Sequence, residues 1–159
     1  MIALAIDPGP VSSAFVLFDG RRVVDHGQLK NEELLQQLRQ RLFGTQPYTT
    51  VIEQIESMGM AVGAEVFETV FWSGRFAQAS RPFDRVTRRA VKLHLCGSMR
   101  AKDQHIRQAL IDRFGGKAEA VGTKKAPGPV FGISSHRWAA LAVAVTWCDH
   151  QAAAKGSAA

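Results

Sequence analysis

The opening stretch constrains the fold most. Ile2-Ala3-Leu4-Ala5-Ile6 is a short apolar run that stops at Asp7-Pro8-Gly9. Ser13-Ala14-Phe15-Val16-Leu17-Phe18 is a second apolar run, and it reads as another buried strand. Asp19-Gly20 follows, a strong hairpin signal because a two-residue turn needs positive φ at both central positions. Arg21 to Leu29 returns as the third strand. A chain that begins this way builds a sheet first and must cover it afterwards.

The covering elements come next. Asn31 is expected to cap a helix over Glu32–Phe43, with acids at the positive end of its dipole and Leu34, Leu35, Leu38 and Leu42 as its apolar stripe. Thr49-Thr50-Val51-Ile52-Glu53-Gln54-Ile55 is short and β-branched, which suits a central fourth strand. Residues 61–79 read as a long helix with apolar residues on more than one face: Val62, Val66 and Val70, Phe67 and Phe71, Trp72 and Phe76. Such a helix is buried on both sides, either within one subunit or against a second. Phe83–Thr87 suggests a fifth strand, and Val91–Leu95 is left unassigned. Ala101–Phe114 predicts a helix ended by Gly115-Gly116. Gly122–Gly132 reads as a mobile loop, and Ser134 or Ser135 as the cap of a last helix through Trp147. The reading is a single α/β domain over residues 1–150, with helices on both faces of one sheet and residues 151–159 as a flexible tail that frays from Ala152.

Charge is unevenly distributed. Residues 1–79 hold six Lys/Arg against nine Asp/Glu, whereas residues 80–125 hold twelve against four. A local excess of this kind favours a polyanion through counterion release; the alternative is a solvated basic surface. No uncharged apolar run reaches the roughly 18 residues of a membrane span. The opening run lacks a basic leader and a cleavage site, so no secretory signal is expected. Cys96 and Cys148 form no disulfide framework and have no zinc spacing, which fits a reducing cytoplasm. Neither GxxxxGK[ST] nor a GxGxxG after a strand is present, so nucleotide binding by those routes is unsupported.

Two acids stand out. Asp7 ends a buried strand, where a desolvated carboxylate needs a cation, a donor cluster or exposure, unless it simply forms the turn before Pro8-Gly9. Glu53 repeats the pattern on the fourth strand. If the two strands are neighbours, both carboxylates share one cleft, and a hard divalent cation such as Mg²⁺ or Mn²⁺ would relieve their repulsion. The alternative is two unrelated acids, each with its own partner. His136, at the start of the last helix, is a further candidate ligand, although a histidine there is more often only exposed or capping.

Taken in order, Ala5-Ile6-Asp7-Pro8-Gly9, Ile52-Glu53-Gln54, Val91-Lys92, Ala101-Lys102 and Ala139-Ala140-Leu141-Ala142-Val143-Ala144 resemble the RuvC-type Holliday junction resolvases, nearest to the divergent phage and prophage branch. The resemblance spans roughly residues 2–149. It implies an RNase H-like fold, a five-stranded mixed sheet with the first three strands antiparallel. It also implies a homodimer that cuts four-way DNA junctions with two Mg²⁺ or Mn²⁺ ions per site. Asp7, Glu53 and His136 match its metal-binding positions, and Lys92 and Lys102 its basic residues near the scissile strand. Arg85, Arg88, Arg89, Lys92, Arg100, Lys102, Lys124 and Lys125 would then carry the DNA arms by phosphate contacts.

Two departures matter. Where the family has a second Asp one helical turn after His136, this chain has Ala139, with Glu56 and Asp103 as candidate substitutes. Where many members place a junction-wedging aromatic, this chain has Glu56, with Met58 and Met60 nearby. Three functions remain open: a junction nuclease, a junction-binding protein without catalysis, and an RNase H-like nuclease acting on RNA or other branched DNA.

Overall fold

A computed structural model of the protein describes residues 1–57 and 59–157. Five strands form one sheet: β1 (Ala3–Asp7), β2 (Ser12–Phe18), β3 (Val23–Lys30), β4 (Thr49–Gln54) and β5 (Phe83–Thr87). Their order is β3-β2-β1-β4-β5. The first three strands pair antiparallel, and β4 runs parallel to both β1 and β5. The expected sheet is therefore observed, with β4 inside it.

Alternation along the strands sorts the core into two layers. Ala3, Ala5, Val16, Phe18 and Val51 face one way, onto α3 (Arg88–Cys96), α4 (Asp103–Arg113) and α6 (Arg137–Gly156). Leu4, Ile6, Phe15, Leu17 and Ile52 face the other, onto α1 (Asn31–Gln40) and α2 (Ala64–Ala79). Small residues bring α6 close to the central strands: Ala140, Ala142 and Ala144 are fully buried, as are Ala3 and Ala5 opposite. On the other face the Phe15 ring lies over Gly27 of the neighbouring strand, where a Cβ would come within 2.7 Å of it.

Several local expectations are corrected. Asn31 lies inside α1 and gives it no side-chain cap. It is buried because its amide is used elsewhere: Nδ2 donates to Gly9 O (2.9 Å) and Oδ1 accepts from Ser13 Oγ (2.7 Å). Helix α1 stops at Gln40, with Arg41 in the left-handed region, so Leu42 falls off the stripe and is exposed. Val91–Leu95 belongs to α3, whose N-terminus is capped by Thr87 Oγ1 accepting from Ala90 N (3.1 Å). A short helix, α5 (Lys117–Val121), follows α4.

The Gly122–Gly132 segment, read as mobile, is pinned. Val23 N donates to Pro129 O, Val130 N donates to Ala120 O, and Val130 is buried. Neither Ser134 nor Ser135 caps α6; His136 holds that position. The helix also runs past Trp147 to Gly156. Residues 151–156, placed in the flexible tail, are thus helical, as the high propensity of Ala152-Ala153-Ala154 favours. Finally, α2 is covered on one side only. Phe76 is buried, but Phe67, Val70 and Phe71 are exposed, and among the described residues no element of this chain packs over them.

Candidate active site

The β1–β4 register builds the centre of the site. Ile6 stands opposite Ile52, so the next residues along the two parallel strands are Asp7 and Glu53. Both follow the alternation of Ala5 and Val51 and point to the α6 side. The side chain of Glu53 is 8% exposed and that of Asp7 is 18% exposed. Burial raises both carboxyls, Asp7 to about 6 and Glu53 to about 8. Glu53 rises further because it also feels the charge of Asp7 and hydrogen-bonds to it.

The start of α6 closes one side. Ser135 adopts a left-handed φ of 49°, and His136 follows with its Nδ1 3.4 Å from Asp7 Oδ2. Arg137 braces this turn: Nε donates to Ser134 O (3.2 Å) and Nη1 donates to His26 Nδ1 (3.1 Å). Burial, then the Arg137 charge, lowers the pKa of His26, which suits it as a neutral acceptor.

The opposite side is made by Arg88, the first residue of α3. Its Nη1 lies 3.6 Å from Glu53 Oε1, and its Nη2 donates to Asp103 Oδ1 at the start of α4. A cavity of about 210 Å³ lies on this side of the site, lined by Arg88, Asp103, His136 and Ala139 among others, with neither Asp7 nor Glu53 in its lining.

Sequence reasoning picked out Asp7, Glu53 and His136, and the first two stand side by side with the third against Asp7. Lys92 is half-buried on α3, and Lys102 is exposed just before α4. Among the described residues, neither lysine makes an ion pair. Arg85, Arg89, Arg100, Lys124 and Lys125 are exposed, as a phosphate-binding role requires, whereas Arg88 turns inward onto Glu53. Of the two substitutes for the missing helix acid, Asp103 borders the cavity and Glu56 lies exposed beyond the end of β4. Met58 lies outside the described residues, and Met60 is exposed. The inward turn of Arg88 and the bracing by Arg137 were missed. No local signal marks the former, since the helix that Arg88 opens is itself unassigned from the sequence.

The donor chemistry fits a divalent cation: two adjoining carboxylates, Glu53 buried and Asp7 half-buried, with an imidazole beside them. Among the described residues, however, no three His, Cys, Asp or Glu side chains gather into a ready-made metal cluster.

A mixed sheet in this order, antiparallel through its first three strands and layered by helices on both faces, is the RNase H-like fold. More particularly, the chain superposes on RuvC from Thermus thermophilus with a TM-score of 0.64 at 20% identity, covering 96% of this chain and 97% of that one. It matches the T. thermophilus RuvC in complex with Holliday junction substrate with a TM-score of 0.65 at 17% identity, covering 96% of each chain. At this identity the likeness is one of fold. No protein-family model matches the chain, and no curated protein matches it in sequence.

Proposed function

We propose that this protein is a metal-dependent endonuclease that cuts four-way or otherwise branched DNA by phosphodiester hydrolysis. The observation that carries the reading is the pairing of half-buried Asp7 with buried Glu53 at the ends of two adjoining parallel strands. Burial raises both carboxyls and the Asp7 charge raises Glu53 further, so the ionised pair is destabilising unless a cation neutralises it. Asp7, Glu53 and His136 would hold Mg²⁺ or Mn²⁺. Once bound, such an ion activates a water and offsets negative charge at the scissile phosphate. His136 would ligate that ion or orient the water as a base, and Lys92 and Lys102 would contact the phosphates beside the cut.

Substrate choice follows from the surface. The basic excess of residues 80–125 suits a polyanion. The neighbouring RuvC structure holds a Holliday junction, which supports the same class of substrate here. Homodimerisation through α2 is part of the proposal, supported by its exposed Phe67, Val70 and Phe71. A two-fold dimer presents two sites to a two-fold junction. No helix among the described residues is long and apolar enough to cross a membrane, and we assign the activity to the DNA-containing cytoplasm.

Ala139 and the lack of a ready-made metal cluster among the described residues favour one second reading, a junction-binding protein that does not cut. Incubation of the purified protein with labelled linear, forked, four-way and RNA substrates in Mg²⁺ or Mn²⁺ separates the two. Symmetric nicks in the four-way junction are expected. Tight junction binding without nicking under every metal condition would establish the second reading instead.

A further inference from the structure

Arg88 is placed against the local electrostatics. It and Arg89 open α3, whose first turn contains no acid, so two cations face the positive end of a helix dipole. The placement is offset from outside the helix, by Glu53 at 3.6 Å and by the hydrogen bond to Asp103. The β4–β5 register explains how it gets there. Glu53 pairs with Val86, so the chain leaving β5 after Thr87 delivers the next residue, Arg88, to the same sheet end as the two carboxylates.

The same cavity is lined by Ala139. Relative to the four-ligand site that the resemblance implies, this chain lacks the carboxylate at Ala139 and holds the Arg88 guanidinium in the same small space. A divalent ion entering there would meet a fixed positive charge and one ligand fewer. Arginine stays protonated throughout the accessible pH range and presents its donors in a planar fork that matches phosphate oxygens.

We infer that the site takes one divalent cation, not two, and that Arg88 is a catalytic residue whose guanidinium stands where the second would be, with Asp103 as its positioning residue. The inference rests on the nuclease reading and deepens it. In the hydrolysis, the water oxygen bonds to phosphorus as the P–O3′ bond breaks. The proton lost by the water passes to solvent or His136, and the departing 3′-oxygen accepts hydrogen bonds from Arg88 and takes its proton from solvent. Arg88 supplies charge and donors and itself transfers no proton.

Mn²⁺ titration of the metal-free protein, followed by calorimetry and by the loss of the free-ion paramagnetic resonance signal, tests this apart from cleavage. The wild type should bind one Mn²⁺ per protomer, and the double variant Arg88→Gln/Ala139→Asp should bind two. Arg88→Gln alone should still bind one but cut a four-way junction about 100-fold or more slowly, the scale on which losing a transition-state donor acts, while Arg88→Lys recovers part of that loss. Two Mn²⁺ ions in the wild type, or wild-type cleavage by Arg88→Gln, would overturn the inference and leave the nuclease reading intact. A wild type that binds no Mn²⁺ and cuts no branched DNA would overturn both.

Discussion

Ser13 Oγ donates a 2.7 Å hydrogen bond to Asn31 Oδ1, joining β2 to the first turn of α1 in the interior. The same hydroxyl accepts from Gly9 N (3.1 Å), and Asn31 Nδ2 donates to Gly9 O (2.9 Å). Both backbone groups of the glycine two residues beyond Asp7 are thereby fixed. Asn31→Ala leaves the Gly9 carbonyl and the Ser13 hydroxyl without these partners, a loss of about 2–3 kcal/mol. Chemical denaturation should show it as a lower midpoint with unchanged slope. Junction cleavage by the folded fraction should fall more than junction affinity, because the loop adjoins Asp7 and contains none of the proposed DNA-arm residues.

The carboxylate pair makes the metal-free protein pH-sensitive. Both folded-state pKa values are raised, Asp7 to about 6 and Glu53 to about 8. The unfolded chain therefore ionises first, and the site withdraws stability as pH climbs from the ordinary carboxylate range towards 8. Below that range the penalty vanishes. Glu53→Gln should raise the metal-free Tm at pH 8 by roughly 4–8 °C, equivalent to about 2 kcal/mol, and change little at pH 4. Added Mn²⁺ should raise the wild-type Tm at pH 8 and do much less for the variant. Thermal scans across pH with and without metal check both points.

Helix α2 carries the proposed subunit contact. Phe67 is 66% exposed and Phe71 56%, two rings one helical turn apart on a face that the chain itself leaves open. Phe67→Asp/Phe71→Asp should convert a dimer to a monomer with its circular dichroism unchanged. Light scattering on the eluting species measures the mass directly. A wild type that is already monomeric at high concentration would contradict the assignment.

The basic segment should act through salt-dependent binding. Lys124 and Lys125 are exposed in the loop after α5, and neither makes an ion pair among the described residues. Lys124→Ala/Lys125→Ala should weaken junction binding and lower the slope of log K against log salt by about 1–2. The cleavage rate at saturating protein should be unchanged, whereas Lys92→Ala should reduce turnover.

Local pattern revealed the sheet and the acids because strand alternation is short-range. The run from Ile2 to Asp7, the Asp19-Gly20 turn and the Val51-Ile52-Glu53 strand each announce themselves within a few residues. What stayed hidden depends on partners distant in sequence. Asn31 read as a cap because its use by Gly9 and Ser13 appears only once β2 has folded back. Arg88 read as a DNA contact because nothing near it in the chain signals Glu53, 35 positions earlier. The apolar faces of α2 read as buried because periodicity reports hydrophobic residues without reporting what covers them.

The proposed chemistry requires Asp7 and Glu53 to act together at a metal. The most direct measurement compares wild type with Asp7→Asn on one labelled four-way junction, scoring both cleavage in Mn²⁺ and binding in its absence. The wild type should nick, the variant should give no detectable nicking, and the two should bind the junction with closely similar affinity. Cleavage by Asp7→Asn at the wild-type rate would contradict the proposed chemistry.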